Sequence, residues 1–134
     1  MKVRGEISKK NKWWIERNRY YELKYYCLQY PIWKQAFNSL DGMARAGGLG
    51  VQVSGNADPV EKCVEARYNF WKRMVLVEEA AREADPELQD YILHGVTEGI
   101  GYDILKAKYG IPCCKDVYYD LYRKFFYILN RKRN

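Results

Sequence analysis

The stretch that decides the fold is GIGYDILKAKYGIPCCKDVYYDLYRKF, residues 99–125. A short segment with helical spacing of apolar residues stops at Gly110, a residue type that ends helices at little conformational cost. Ile111 and Pro112 follow, and apolar residues then recur at 117, 121, 125 and 128. The pattern predicts a helix-turn-helix in which Ile111 fills the angle between the helices and Pro112 begins the second one.

The second of these helices is the candidate functional element. We expect its residues Val117, Leu121 and Phe125 to face the core. The outward residues, which a DNA groove can receive, would be Cys114, Lys115, Tyr118, Tyr119 and Tyr122, with Arg123 and Lys124 toward phosphates. An outward Lys115 can contact phosphate or guanine, and tyrosine hydroxyls can reach a phosphate or a base edge. A basic cluster near residue 132 would hold the DNA backbone. The predicted DNA-binding residues are Lys115, Tyr118, Tyr119, Tyr122, Arg123, Arg131, Lys132 and Arg133. The alternative is a helical hairpin whose tyrosines pack against a partner.

The charge of the chain favours a polyanionic partner. Its net charge is +6, but residues 1–60 carry 10 basic and 5 acidic groups, and residues 102–134 carry 8 basic and 3 acidic groups. Residues 61–101 between them carry 5 basic and 9 acidic groups. Two basic ends around an acidic middle indicate localised basic surfaces, as phosphate binding requires. An unevenly charged, solvated surface is the alternative.

The rest of the sequence is also patterned as helices. Residues 13–40 have helical spacing, and Pro31 is expected to divide them into helices over 13–29 and 31–40. Glycines between residues 41 and 58 predict a flexible tether, and they lack the Lys-Ser/Thr that a phosphate-binding loop needs.

Two helix-start signals follow that tether. Asp58 and Pro59 predict the start of a long helix that reaches about Ala84. Asp85-Pro86 repeats the signal for a helix that ends near Gly99.

These elements predict an all-α fold. We expect a helical bundle with a C-terminal helix-turn-helix, a long central helix and N-terminal aromatic helices. The predicted divisions are an N-terminal aromatic helical region over 1–41, a Gly-rich linker over 42–58, and the long helix with the helix-turn-helix over 59–134. The aromatic residues of the first region would pack on the central helix, form a dimer or contact RNA polymerase.

Several function classes are disfavoured. The chain has no apolar run of about 18 residues, so we expect no membrane span. The first residues lack a signal-peptide pattern, so we expect a cytoplasmic protein. The four cysteines form no C-x-x-C, and His94 is the single histidine, so we expect no zinc and no other cofactor. No nucleophile, base and orienting group occur together in the pattern, so we do not expect an enzyme.

The residues of the C-terminal half resemble a known family. The matching residues are DPELQDYIL at 85–93, Gly99, YDILKAKYGIP at 102–112 and Val117-Tyr118. They are similar to the C-terminal module of phage-encoded transcriptional regulators of the RinA and ArpU kind. The helix-turn-helix of that module resembles sigma-factor region 4. The resemblance implies a phage or prophage protein that binds promoter DNA. This sequence departs from the usual pattern at Pro112 and Cys113, and Asp116 and Asp120 place negative charge along the second helix.

Two function hypotheses therefore remain open. The first is a small transcriptional regulator that binds double-stranded DNA, as a monomer or a homodimer. The second is a phage-encoded inhibitor of a host defence protein such as a CRISPR nuclease, which would use exposed aromatic residues as anchors or the acidic residues of 78–90 as a DNA mimic.

Overall fold

The structure, a computed structural model, describes residues 10–45 and 59–134. Within these two ranges it contains six α-helices and no β-strand, so the predicted all-α fold class is confirmed. None of these helices combines the length and apolar character needed to cross a membrane. The helices are α1 (Arg17–Leu28), α2 (Tyr30–Arg45), α3 (Pro59–Ala84), α4 (Gln89–Glu98), α5 (Tyr102–Tyr109) and α6 (Lys115–Arg133).

Local sequence signals place several helix ends correctly. The chain divides at Gln29, two residues before Pro31, and the backbone N–H of Gln29 caps α1 by donating to the carbonyl oxygens of Cys27 and Tyr26. The predicted start of this helix at residue 13 is wrong, because α1 begins at Arg17. Helix α3 ends at Ala84, as predicted. The predicted linker is wrong over residues 42–45, because α2 continues to Arg45. The remaining linker residues and Asp58 lie outside the described residues.

Two helices begin three residues later than their prolines predict. The Asp85 carboxylate accepts hydrogen bonds from the backbone N–H groups of Glu87 (2.9 Å) and Leu88 (3.2 Å), so it stabilises a turn that precedes α4. Helix α6 begins at Lys115 rather than at Pro112, and Cys114 is its N-cap in an extended conformation. The proline signal marks the approach to both helices but not their first residues.

The chain forms two compact units. The first comprises the described residues up to Gln29 together with residues 76–134, and the second comprises the described part of 30–75. In the first unit α6 packs against α1, α4 and α5, and α4 also packs against α1 and α5. The stripe of α1 that is buried here is Tyr20, Leu23 and Cys27, and the Tyr20 ring meets the Phe126 ring edge-on at 5.2 Å.

The second unit joins α2 to the first part of α3. The Cys63 thiol donates to the carbonyl oxygen of Leu40 (3.2 Å), and the Arg67 guanidinium lies 4.2 Å from the centre of the Phe37 ring. Three large apolar residues of α3 in this unit are nevertheless exposed: Val64, Tyr68 and Trp71.

Candidate nucleic-acid interface

The connection between α5 and α6 is built as the sequence predicts at Gly110 and Ile111. Gly110 has φ +70° and ψ 39°, and its N–H donates to the carbonyl oxygen of Lys106. A side chain at this left-handed position would be strained. Ile111 is fully buried, and the Tyr102 hydroxyl donates to the carbonyl oxygen of Cys113 at 2.6 Å. The turn is therefore fixed by a glycine, a buried apolar side chain and a tertiary hydrogen bond.

The buried face of α6 differs from the predicted one. Tyr118 is 0% exposed and Val117 is 46% exposed, so the prediction that Val117 faces the core and Tyr118 points outward is wrong. Phe125 is buried, as predicted. The core face consists of the buried residues Tyr118, Phe125, Phe126 and Leu129 and the half-buried Tyr122. Tyrosine rings bury more apolar area than valine, so the helix rotates them inward although they carry hydroxyls.

The other two predicted tyrosine contacts are engaged within the fold. The Tyr119 hydroxyl accepts a hydrogen bond from the backbone N–H of Tyr102 at 3.0 Å. The hydroxyls of Tyr122 and Tyr20 are 2.8 Å apart, in a hydrogen bond that joins α6 to α1. Burial raises the pKa of Tyr122 above its ordinary value, and the neighbouring Tyr20 raises it further. The assignment of Tyr118 to DNA contact is therefore corrected, because its side chain is buried, whereas Tyr119 and Tyr122 are half-buried and brace the helix.

Tyr118 is buried against a glycine of α4. A Cβ atom at Gly95 would overlap the Tyr118 hydroxyl oxygen and lie 3.3 Å from ring atom Cζ. The Tyr118 hydroxyl has no hydrogen-bond partner among the described residues, and burial raises the pKa of this group above its usual range. Gly95 was not singled out from the sequence, because a lone glycine within a helix gives no indication of what approaches it.

The first turn of α6 faces solvent. Cys114, Lys115, Asp116 and Val117 are all exposed. The Cys114 side chain makes no capping hydrogen bond, and the Lys115 ammonium lies 3.7 Å from the Asp103 carboxylate of α5. Lys115 is thus placed as predicted, in an ion pair that solvent can reach.

The basic cluster at 131–133 is mostly bound to other parts of the first unit. The Lys132 ammonium pairs with Glu83 and lies 3.8 Å from Glu79, both on α3. The Arg133 guanidinium lies 3.6 Å from the Glu22 carboxylate and 3.9 Å from the centre of the Tyr26 ring on α1. Both cations are therefore paired with acidic side chains, and their contact with a DNA backbone stays a prediction.

Two other predicted residues have different surroundings. Arg131 is exposed, and its guanidinium lies 6.0 Å from the centre of the Tyr127 ring on the same helix. Arg123 is half-buried. Of these two, only Arg131 is placed on the open surface as a DNA contact would require.

The charges around the turn nearly balance. Between residues 99 and 121 the chain has three lysines, at 106, 108 and 115, and three aspartates, at 103, 116 and 120. The Lys106 ammonium donates to the carbonyl oxygen of Ile111 at 3.4 Å, and the Lys108 ammonium donates to Glu98 at 3.0 Å. Affinity for DNA comes largely from unbalanced positive charge, and this surface has no excess of lysine over aspartate.

A second polar cluster holds α4 to α5. The Glu98 carboxylate accepts hydrogen bonds from the Tyr109 hydroxyl (2.6 Å), the His94 ring nitrogen Nδ1 (2.7 Å) and Lys108. The His94 and Tyr109 rings stack with centres 3.9 Å apart. Burial alone would raise the pKa of Glu98, but these three hydrogen bonds outweigh it and lower the pKa to about 2. The sequence reveals only the i, i+4 spacing of His94 and Glu98.

This cluster makes the stability of the protein depend on pH. The folded-state pKa of Glu98 lies below its ordinary value, so its contribution is present above about pH 5 and is lost as pH falls toward 2. Between pH 6 and pH 3, we expect the melting temperature of E98Q to fall less than that of the native protein, by about 2–5 °C. Circular dichroism melts at the two pH values measure this difference in melting temperature, and E87Q, at an exposed glutamate, is the control. Equal pH dependence in E98Q and the native protein would contradict this role.

Comparison with protein-family models, with curated proteins and with solved structures finds no match to this chain. The site is therefore interpreted from its own geometry.

Proposed function

We propose that the protein binds double-stranded DNA through the first turn of α6. The observation that carries the proposal is the contrast within this helix: residues 114–117 are exposed, whereas Tyr118, the next residue, is fully buried. A helix held this firmly with its first turn in solvent is suited to the major groove, where recognition helices place their N-terminal residues.

The exposed side chains supply suitable contact chemistry. Lys115 can exchange its ion pair with Asp103 for a phosphate or a guanine edge. Val117 is an exposed aliphatic residue of the size that contacts a thymine methyl group. The backbone N–H groups at the start of α6 donate no hydrogen bond to the Cys114 side chain, and a helix N-terminus favours phosphate. In this proposal the tyrosines position the helix and do not touch the DNA.

The proposed class is a small regulator of transcription. The resemblance of residues 85–118 to phage-encoded regulators of the RinA and ArpU kind supports this class, and the host-bacterial cytoplasm is the corresponding location. RNA polymerase is a proposed second partner. The alternative of an inhibitor that mimics DNA has less support, since Lys132 already pairs with Glu83 and lies close to Glu79 in the acidic series.

The charge balance around the turn predicts weak binding with a shallow salt dependence. If one copy of the chain contacts one to three phosphates, the logarithm of the affinity should fall with the logarithm of salt concentration with a slope of about 1–3. Fluorescence anisotropy with labelled duplexes from the DNA that flanks the gene measures both quantities. No binding at about 50 mM salt and 50 μM protein would contradict the proposal.

A charge-reversed pair of variants tests the assigned surface. We expect K115E to weaken binding about tenfold and to lower the salt slope by about 1, because a favourable contact becomes a repulsive one. The matched control is K34E, which makes the same change of net charge at an exposed lysine of α2. D116N should strengthen binding, since it removes a negative charge from the same turn. Equal losses in K115E and K34E would show that only net charge matters and would refute the assignment to α6.

A further inference from the structure

The exposed face of α3 in the second unit has the spacing of a helix-pairing surface. Val64, Tyr68 and Trp71 are separated by four and three residues, which places them on one side of the helix. Glu65 and Lys72 are both exposed on the same side, each directly after an apolar residue of this series. We call these five residues the α3 stripe.

The α3 stripe has the chemistry of an interface. Val64, Tyr68 and Trp71 are 53%, 54% and 45% exposed. The Tyr68 and Trp71 rings stack with centres 5.7 Å apart, and with Phe37 and Arg67 they border a concavity of about 400 Å³. Tyrosine, tryptophan and arginine are the residue types that contribute most to protein–protein binding. An exposed stacked pair of this kind beside a concavity indicates a partner that covers it.

The charges of the α3 stripe are complementary to those of a second copy of this chain. Glu65 lies three residues before Tyr68 and Lys72 lies four residues after it. If two copies of α3 pair antiparallel with the two-fold axis near Tyr68, Glu65 of each copy lies opposite Lys72 of the other. A two-fold interface must be complementary to itself, and this arrangement of one acidic and one basic end meets that condition.

We propose that the protein forms a homodimer through the α3 stripe, with the two α3 helices antiparallel. Apolar side chains at heptad-like spacing fill the centre of the contact, and two Glu65–Lys72 pairs flank it. The proposal does not depend on DNA binding, since dimerisation is measured without DNA. The proposed DNA-binding surface of one copy is weak, and dimerisation would place two such surfaces on one particle.

The first test is the oligomeric state of the full chain. Sedimentation velocity over about 1–200 μM should show a monomer–dimer equilibrium. W71A should raise the dimer dissociation constant at least about thirtyfold, because the substitution removes one ring from each copy of a two-fold interface. Y25A is the control, since Tyr25 is also an exposed aromatic residue, on α1 and outside the stripe. A monomer at every concentration, a foreign protein as the occupant of the stripe, or equal effects of W71A and Y25A would overturn the proposal.

The second test fixes the partner and the orientation. E65K alone and K72E alone each place like charges opposite one another in a homodimer, and each should raise the dissociation constant about tenfold. Mixed in equal amounts, the two variants should form a heterodimer of native affinity, because both flanking pairs again join opposite charges. Residues seven apart on one helix are about 10 Å apart along its axis, so this rescue cannot arise within one chain. Failure of the mixture to associate more tightly than either variant alone would overturn the antiparallel dimer.

Discussion

Replacing Tyr118 with alanine is expected to lower the free energy of unfolding by about 3–5 kcal/mol, which is the usual cost of removing a buried aromatic ring. Tyr118 is fully buried in a core cluster with Tyr102, Leu105 and Ile111, so truncation leaves a cavity between α4, α5 and α6. Y118F should leave stability unchanged or slightly increased, since the hydroxyl that it removes has no hydrogen-bond partner among the described residues. Urea denaturation of the variants measures both effects.

The adjacent residue provides the control for this prediction. Val117 is largely exposed, so V117A should change the free energy of unfolding by less than about 0.5 kcal/mol. The interpretation from sequence alone, with Val117 inward and Tyr118 outward, requires the opposite order of effects. A Y118A protein as stable as V117A would contradict the buried face described here.

The second large effect is expected at Gly95. G95A should destabilise the protein by about 2 kcal/mol, although alanine is the better helix former, because the new methyl group overlaps the Tyr118 hydroxyl. Tyr118 cannot turn away, since it is fully buried among the other core residues. The combination of G95A with Y118F should recover most of the loss, because the overlapping oxygen is then absent and only the contact at 3.3 Å to Cζ remains.

A double-mutant cycle of these two changes isolates their interaction. We expect a coupling free energy of about 1–3 kcal/mol between positions 95 and 118, of the size found for directly packed residues. The same cycle between G95A and Y25A, whose target residue is exposed on α1, should give no coupling. Additive effects at positions 95 and 118 would mean that Gly95 is not needed for Tyr118 to pack against α4.

The elements that could be predicted from the sequence are those set by neighbouring residues. Gly110 ends α5 because its own backbone adopts the left-handed conformation, and Pro31 separates two helices because of its own ring. The face of α6 could not be predicted in this way. Its choice between Val117 and Tyr118 depends on what α1, α4 and α5 bring against it, including the space that Gly95 leaves open.

The candidate site was predicted in part for the same reason. Lys115 is exposed as expected, since it occupies the first turn of a helix that is held at its other face. The basic residues near the end of the sequence were interpreted as contacts for DNA, but Lys132 and Arg133 have acidic partners on α3 and α1 that are distant in sequence. Linear charge counts cannot distinguish a cation that faces solvent from one that is already paired.

The contacts between α1 and the last turn of α6 bear on the order in which the protein folds. Arg19 donates to the side-chain oxygens of Asn130 and Asn134, which follow it by 111 and 115 residues. On the ribosome these partners are made more than 100 residues after Arg19, so α1 emerges long before the surface that buries it exists. Such distant pairings slow folding relative to a bundle of neighbouring helices, and they leave the apolar side of α1 uncovered until α6 has been synthesised.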